Sequence, residues 1–261
     1  MKICTFNVNS IKARKDLVMS WLEHRRRDID ILCFQELKMI EETFPFEEFE
    51  SLGYYSAVFG QKAYNGVAIC AKSPIQTVQK GFGNPHWDTQ SRLIAAQVGD
   101  LHIVNAYAPH GDLRGKEKFQ YKQDWYRAFL SYLEERYTNH DRLIVLGDMN
   151  IAFTDQDVYD AVALADAIGT MPEERALFQA LLDWGLIDSF RMLYPGKKQY
   201  TWWDYRTAGI WRDEGMRIDY FLCTAALRPL IKSLDVDLWP RKRRSPTPSD
   251  HAPLVAELAV D

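Results

Sequence analysis

Six apolar segments of the chain begin or end in polar residues whose side chains could do chemistry together. These residues are Asn7 with Asn9, Glu36, Tyr107, Asp148 with Asn150, Asp219, and Asp250 with His251. A single aspartate at such a place is usually a turn former or a helix cap, because its side chain bonds to nearby backbone. Six endings of this kind are hard to explain as six independent turns. We therefore predict that they converge on one site.

The chemistry of this set favours a hard cation. Carboxylate and amide oxygens are the ligands that Mg²⁺ prefers, usually one or two carboxylates beside phosphate and water. Zinc is disfavoured, because no Cys-x-x-Cys spacing is present. Gly-x-Ser-x-Gly, Walker and Gly-x-Gly-x-x-Gly motifs are also missing, and Ser249, close to His251, lies in a Pro-rich turn. Acyl transfer and nucleotide-driven chemistry are therefore poorly supported.

The elements that must position these residues are mainly strands. Apolar and β-branched runs predict strands at 2–8, 29–35, 54–59, 66–70, 93–98, 101–107, 143–147, 200–205, 218–223, 231–238 and 254–258. Helical periodicity predicts helices at 11–26, 117–137, 157–167 and 173–185. Gly99-Asp100 separates two of the strands and predicts an antiparallel hairpin, which argues against an all-parallel sheet. We predict an α/β fold in which two packed sheets are covered by helices.

Composition sets limits on the class of protein. The 261 residues include 32 Lys and Arg against 36 Asp and Glu, a net charge of -4, which argues against coating nucleic acid through bulk charge. Any polyanion would therefore have to bind at local positively charged patches of the surface. No Pro/Gly/Ser-rich linker divides the chain, and we expect one domain over residues 1–261.

Cysteine usage and hydropathy indicate the compartment. Cys4, Cys33, Cys70 and Cys223 each lie in an apolar run, and we expect buried thiols in a reducing environment. The sequence shows no apolar signal core and no window near the roughly 20 apolar residues that a membrane span needs. We expect a cytoplasmic protein without a membrane partner.

The order of the polar endings is similar to that of the exonuclease III family of DNA-repair abasic (AP) endonucleases, within the deoxyribonuclease I-like endonuclease/exonuclease/phosphatase superfamily. The matching segments are 6–10, 32–38, 65–68, 107–109, 147–152, 200–206, 217–220 and 249–253. Each is weak alone, and together they are specific and run nearly end to end. The resemblance implies a four-layer α/β sandwich, with two mixed β-sheets flanked by helices.

Metal-binding roles follow from the resemblance, position by position. Glu36 matches the principal metal carboxylate of the family, Asn7 stands next to the metal, and Asn9 braces that cluster. Asp250 would supply a second metal contact or polarise the site. The implied cofactor is Mg²⁺, with Mn²⁺ as a substitute.

Catalytic roles are implied in the same way. Asp148 matches the residue that orients or activates the attacking water, Asn150 would position that water or a phosphate oxygen, and Tyr107 would contact the scissile phosphate. Asp219 would fix the His251 imidazole and favour its protonated form, which stabilises charge on phosphorus.

The implied reaction is metal-dependent hydrolysis of the phosphodiester 5′ to an abasic site in duplex DNA, leaving a 3′-hydroxyl. The same site would remove 3′ phosphates, 3′ blocking fragments and 3′ nucleotides. An abasic nucleotide has lost its pairing and much of its stacking, so rotating it out of the duplex costs less. Partners would be duplexes with abasic sites or blocked 3′ ends, and nothing in the site requires more than a monomer.

The resemblance also implies substrate-binding residues. Trp202, Met216 and Ile218 would form an apolar pocket for the flipped sugar, although core packing explains Trp202 and Ile218 about equally well. His110 stands where relatives commonly carry Asn or Gln and is equally explained as a turn residue. Gly169 would leave room for the sugar, because it has no side chain.

Cationic residues outside the site are candidate DNA contacts. They are Lys12, Arg14, Lys15, Lys38, Arg92, Arg114, Lys116, Arg206 and the run Arg241–Arg244. An ordinary solvated face accounts for about half of such scattered charges. The run Arg241–Arg244, directly before Ser249-Asp250-His251, is the strongest candidate for a phosphate-binding patch.

Two other functions remain open from the sequence. One is a phosphoesterase of the same superfamily that acts on an inositol phosphate or a phospholipid head group. The other is a catalytically inactive DNA-binding or scaffold protein on the same fold. The segments 65–68 and Trp202-Trp203 favour the nuclease. The inactive alternative is disfavoured, because Glu36, Asp148, Asn150, Asp219 and His251 are all present.

Overall fold

The computed structural model describes residues 1–25 and 28–260. Within them the strands are β1 (Lys2–Asn7), β2 (Ile31–Gln35), β3 (Tyr55–Phe59), β4 (Val67–Ala71), β5 (Ile75–Lys80), β6 (Leu93–Val98), β7 (Leu101–Tyr107), β8 (Leu143–Asp148), β9 (Ile187–Asp188), β10 (Trp202–Trp203), β11 (Gly215–Met216), β12 (Asp219–Cys223), β13 (Ile231–Val236) and β14 (Leu254–Leu258). The α-helices are α1 (Ile11–His24), α2 (Phe46–Ser51), α3 (Glu117–Arg136), α4 (Pro172–Trp184), α5 (Ser189–Leu193) and α6 (Leu238–Arg241).

Two six-stranded sheets form the centre of the fold. The first has the order β13-β14-β1-β2-β4-β3, and the second has the order β5-β6-β7-β8-β12-β9. Each sheet contains one parallel pair, β1–β2 in the first and β7–β8 in the second, and its other pairs are antiparallel. Helices cover both outer faces, so the predicted sandwich of two mixed sheets flanked by helices is confirmed.

The central strands are apolar on both faces, because each face is buried in a different layer. In β8, Ile144 and Leu146 pack between the sheets, whereas Leu143 and Val145 pack against α3 and α4. Side chains alternate across a strand, so burial on both faces requires a continuous apolar run. This is why these strands are visible in the sequence.

Topology brings the polar endings to one edge of the sandwich. Strands β1, β2, β7 and β8 end at this edge, and the antiparallel β12 and β14 begin there. Register places Tyr107 beside Asp148, and Asp148 beside Asp219. The two parallel pairs therefore determine where the site forms.

Most predicted strands are confirmed, with boundary shifts of one or two residues, and the exceptions are informative. The predicted helix 157–167 is wrong: residues 160–163 form a turn in which the Asp160 carboxylate accepts from the backbone of Val162 and Ala163. The predicted strand 200–205 shrinks to β10, and β5 was missed because this edge strand is mostly exposed and polar. Arg26, the predicted end of the first helix, lies outside the described residues.

All four cysteines are buried and free, as predicted. In the described part of the chain, no helix has the length and apolar character needed to cross a membrane.

Candidate active site

Three of the predicted residues meet at the edge of the sandwich. Ligand atoms of Glu36, Asp148 and His251 all lie within 4.8 Å of one another. The Asn7 amide nitrogen joins the two carboxylates, donating to Glu36 Oε1 at 2.9 Å and to Asp148 Oδ2 at 2.8 Å. The predicted convergence of distant segments is therefore present in the fold.

His251 is held by two carboxylates. Its Nδ1 lies 2.8 Å from Asp219 Oδ2, and its Nε2 lies 3.7 Å from Asp148 Oδ2. Burial opposes a charge on the ring, but the carboxylates of Asp219 and Asp148 outweigh it and raise the pKa of His251 to about 10. The imidazole is therefore a cation at neutral pH, with Nδ1 occupied and Nε2 facing the site.

Asp148 is buried and accepts hydrogen bonds at both oxygens. Asn7 donates to Oδ2, and the backbone N–H of Asn150 donates to Oδ1 at 2.9 Å. Burial raises the pKa of Asp148 to about 7, with a further upward contribution from the neighbouring Asp219, although His251 opposes the shift. A carboxylate with such a pKa can exchange a proton near neutral pH.

Glu36 follows β2 in a left-handed backbone conformation, with φ of 54°. Strain of this kind in a non-glycine residue costs free energy and tends to concentrate at functional sites. Beneath Glu36, the buried Gln35 donates to Asn105 Oδ1 at 2.7 Å and so ties β2 to the second sheet. Burial would raise the pKa of the Glu36 carboxyl, but Asn7 and Lys38 hold it below its usual range.

Tyr107, Asn150 and His110 form one side of the site. Arg92 stacks over the Tyr107 ring at 4.8 Å, and burial together with the nearby Glu36 charge raises the pKa of the Tyr107 phenol, which stays protonated. The Asn150 amide donates to the Ala108 carbonyl at 2.9 Å. His110 lies on the rim with its ring nitrogen 3.3 Å from the Gly111 carbonyl oxygen.

A cavity of about 230 Å³ adjoins these groups. It is lined by Glu36, Tyr107, His110, Asp148, Asn150, Ile168, Gly169, Trp202, Met216, Ile218, Asp250 and His251. Met216 and Ile218 pack with Ala152 and Val158 in a small apolar cluster against which Trp202 lies. Trp202, Met216 and Ile218 thus form one apolar wall of this cavity.

Asp250 and Asn9 lie beside the carboxylate cluster. Asp250 accepts from Asn9 Nδ2 and from Trp202 Nε1, both at 3.0 Å, so each of its oxygens already has a donor. The carboxylate therefore connects the pocket wall to the end of β1. Asp250 is not among the three groups whose ligand atoms converge.

Several predicted DNA-binding residues lie elsewhere. Arg206 does not line the pocket: its side chain is 90% exposed and pairs with Asp204. Arg241 is buried and donates to the carbonyls of Trp203 and Asp250, so it supports the site internally. Including Arg241 in a surface patch is therefore wrong, whereas Lys242, Arg243 and Arg244 are exposed.

The donor set fits a divalent cation. Glu36 and Asp148 bring two converging carboxylates to the site, with Asp219 and Asp250 beside them, and Asp219 Oδ1 is buried without a hydrogen-bond partner among the described residues. The Lys38 ammonium lies 2.9 Å from Glu36 Oε2 and 2.6 Å from Asn9 Oδ1, so these oxygens already attract a cation. Oxygen ligands of this kind suit Mg²⁺.

Sequence reasoning missed residues that support the site from below. Ser249 donates to the Asn7 carbonyl at 2.7 Å and accepts from the His251 N–H, which fixes the loop before β14. The Thr201 hydroxyl accepts from the backbone N–H groups of Ile218 and Asp219. Short hydroxyl side chains give no periodic signal, so such roles become visible only in three dimensions.

Comparison with known proteins agrees with this geometry. The model of the endonuclease/exonuclease/phosphatase family matches residues 4–251. Exodeoxyribonuclease III of Haemophilus influenzae is 35% identical, covering 99% of this chain and 100% of its own. An AP endonuclease from Archaeoglobus fulgidus superimposes with a TM-score of 0.94 at 34% identity over 100% of both chains.

A second solved relative is NExo from Neisseria meningitidis, described as a 3′-5′ exonuclease. It has 40% identity, a TM-score of 0.94 and 99% coverage of both chains. Neisseria NExo was also solved as a 3′ phosphatase bound to a product DNA hairpin, at 39% identity, a TM-score of 0.93 and 100% coverage of both chains. The chain belongs to the endonuclease/exonuclease/phosphatase family and, by similarity along its whole length, to the exonuclease III group of hydrolytic nucleases.

Proposed function

We propose that this nuclease hydrolyses the phosphodiester 5′ to an abasic site in duplex DNA, and that it also removes 3′ phosphates, 3′ blocking fragments and 3′ nucleotides. The observation that carries the proposal is the cluster of Glu36, Asp148 and His251 beside a small apolar pocket. The relatives described as an AP endonuclease, a 3′ phosphatase and a 3′-5′ exonuclease support this range of activities.

Attack begins with a water molecule positioned by Asp148 and Asn150. The pKa of Asp148, raised to about 7 chiefly by burial, allows its carboxylate to accept the proton of that water near neutral pH. Two hydrogen bonds hold the carboxylate in place, from Asn7 and from the Asn150 backbone. Holding the carboxylate and the water in place in this way lowers a large part of the entropic cost of in-line attack.

The His251 imidazolium stabilises the charge that develops at phosphorus. Asp219 accepts from Nδ1, so Nε2 remains available as a donor toward the site. The protonated Tyr107 hydroxyl donates to a phosphate oxygen. Because these donors are preorganised, little reorganisation is needed as the reaction proceeds.

Glu36 and Asn7, with Asp250 nearby, would hold Mg²⁺, and Mn²⁺ is a substitute for the same oxygen ligands. Such a cation would neutralise phosphate charge and favour departure of the 3′ oxygen. Asn9 keeps this region in place through its bonds to Asp250 and Lys38.

Selection of an abasic nucleotide rests on the pocket. A cavity of about 230 Å³ walled by Trp202, Met216 and Ile218 accepts a sugar that has no base, and Gly169 adds no side chain to it. His110 on the rim can donate to a neighbouring phosphate. We also propose that Arg206 contacts DNA outside the pocket, that the protein is a monomer of one domain, and that it acts in the cytoplasm.

The proposal is tested with a duplex that carries one abasic-site analogue, incubated with Mg²⁺ or with a chelator. We expect a nick 5′ to the analogue, with a 3′-hydroxyl end, in the presence of metal. Asp148→Asn should lower the rate by about 10²- to 10⁴-fold without loss of the folded circular dichroism spectrum. Hydrolysis of a phosphorylated inositol with the duplex left intact would favour the other phosphoesterase, and binding without cleavage would favour the inactive protein.

A further inference from the structure

A fully buried ion pair lies beneath the pocket and plays no part in the chemistry described above. Lys122 of α3 and Glu174 of α4 are both inaccessible to solvent, and Lys122 Nζ lies 2.6 Å from Glu174 Oε1. Replacing a buried pair of this kind with apolar side chains is often neutral or stabilising, so its presence is weak evidence for a role in stability. Another role must therefore be considered.

Both partners bond to backbone atoms of the site loops. Lys122 Nζ donates to the carbonyl of Asn150 at 2.7 Å and to the carbonyl of His110 at 3.1 Å. Glu174 Oε2 accepts from the backbone N–H of Gly169 at 2.6 Å. One ion pair thus connects three loops that contribute residues to the pocket.

The fit around the pair is close. Gly111 has a φ of 85°, and a Cβ atom there would lie 2.8 Å from Lys122 Cδ, so the turn after His110 rests directly on the lysine side chain. A Cβ on Gly169 would lie 3.2 Å from the carbonyl oxygen of Asn150, the same oxygen that Lys122 binds. Movement of either partner would therefore shift the Asn150 and Gly169 backbones together.

We propose that Lys122 and Glu174 are positioning residues that hold Asn150 and Gly169 at the spacing needed for hydrolysis. This inference rests on the proposed function, because Asn150 is given its role there. Helix capping is a narrower explanation, since Glu174 also accepts from the Met171 N–H at the start of α4. Capping accounts for Glu174 but not for the bonds of Lys122 to Asn150 and His110.

The double variant Lys122→Met/Glu174→Leu separates positioning from stability. It removes both charges at once, so no uncompensated charge is left buried. We expect a folded protein with a lowered melting midpoint, because the carbonyls of Asn150 and His110 and the Gly169 N–H lose their partners. For abasic incision, kcat should fall by about 100-fold, because a misplacement of about 1 Å can cost that much. KM should stay within about twofold, since DNA affinity comes mainly from phosphate contacts.

The control is Lys2→Met/Asp28→Leu, which removes an ion pair at the start of β1, the strand end away from the site. It should leave kcat unchanged. A stable Lys122→Met/Glu174→Leu protein with full kcat would overturn the positioning role. If that variant does not fold, Glu174→Gln is measured instead, because this change turns one of the two acceptor oxygens into an NH₂ group. A kcat about tenfold lower would support the positioning role, and an unchanged kcat would overturn it.

Failure of the proposed function is distinguishable from failure of this inference. An unmodified protein that does not nick the abasic duplex would overturn the proposed incision, and the positioning role is then measured on release of phosphate from a 3′-phosphate duplex, which uses the same Asn150. The same loss of kcat is expected there in the double variant, and full kcat would overturn the role.

Discussion

Asp219 and His251 lie 32 positions apart in the sequence, yet Asp219 Oδ2 accepts from His251 Nδ1 at 2.8 Å inside the fold. Asp219 begins β12, and His251 stands in the loop before β14, so each sheet contributes one partner. Their hydrogen bond joins the sheets at the edge where the strands carrying Asn7, Tyr107 and Asp148 end and where Glu36 follows β2. The packing of the two sheets therefore places Asp219 where its carboxylate raises the pKa of His251.

Asp219→Asn should lower the pKa of His251. In the variant, burial still disfavours the protonated imidazole, while one of the two carboxylates that favour it has become a neutral amide. In the metal-free protein, NMR titration should place the pKa of His251 far above 6.5 in the unmodified protein and much closer to it in the variant. Abasic incision should slow by about 100-fold or more.

The same pair predicts how stability depends on pH. Because the folded pKa of His251 is raised, its contribution to the free energy of unfolding is fully present below 6.5 and is lost as pH rises toward about 10. Asp219→Asn should flatten the stability curve in this window. An unchanged curve, or an unchanged titration of His251, would contradict the pairing.

Gly169→His should suppress abasic incision and spare removal of a 3′ phosphate. A side chain at this position projects toward Asn150 and Met216 beside the pocket, where the flipped sugar would lie. The ratio of the two activities should fall by about 100-fold. Gly169→Ala is the control for backbone strain at a φ of 88°, and it should lower both activities together. An equal loss of both activities in the histidine variant would argue against a steric filter.

Much of the scaffold could be predicted from the sequence, because strands buried on both faces give unbroken apolar runs. The endings at Glu36, Asp148 and His251 were visible for the same reason, since a polar residue stands out after such a run. Lys122 could not be found in this way: on a helix it resembles any solvated lysine, although the fold buries it completely. Edge strand β5 was not predicted, because its mostly exposed residues do not form an apolar run.

Arg217 provides a test of how the pocket wall is supported. This buried residue lies between Met216 and Ile218 and bonds to Asp157 and Asp188. Arg217→Met leaves the Asp188 carboxylate without the cation that it pairs with, although Asp157 keeps Arg191, and should destabilise the protein by about 3–5 kcal/mol. Denaturant unfolding measures this cost, and a loss below about 1 kcal/mol would show that the network contributes little. The exposed pair Lys80–Glu41 is a suitable control, since breaking it should cost about 0–1 kcal/mol.

The salt dependence of DNA binding tests whether the exposed residues of the cationic run, Lys242–Arg244, contact phosphates. If Lys242 and Arg244 contact phosphates, Lys242→Glu/Arg244→Glu should reduce the slope of log Kd against log salt by about 2. Arg228→Glu/Lys232→Glu, placed near the opposite ends of the strands, should leave the slope unchanged and serves as the control. An unchanged slope in the first variant would remove this patch from the DNA interface.

Titration of Mg²⁺ in single-turnover incision of an abasic duplex tests most directly whether the converging carboxylates form a cation-dependent hydrolytic site. For the unmodified protein we expect activity to rise with Mg²⁺ to a plateau and to vanish with chelator. Glu36→Gln should raise the half-saturating Mg²⁺ concentration by about tenfold or more, because a principal carboxylate ligand becomes neutral. Incision that persists in chelator, or a Mg²⁺ requirement unaffected by Glu36→Gln, would contradict the account.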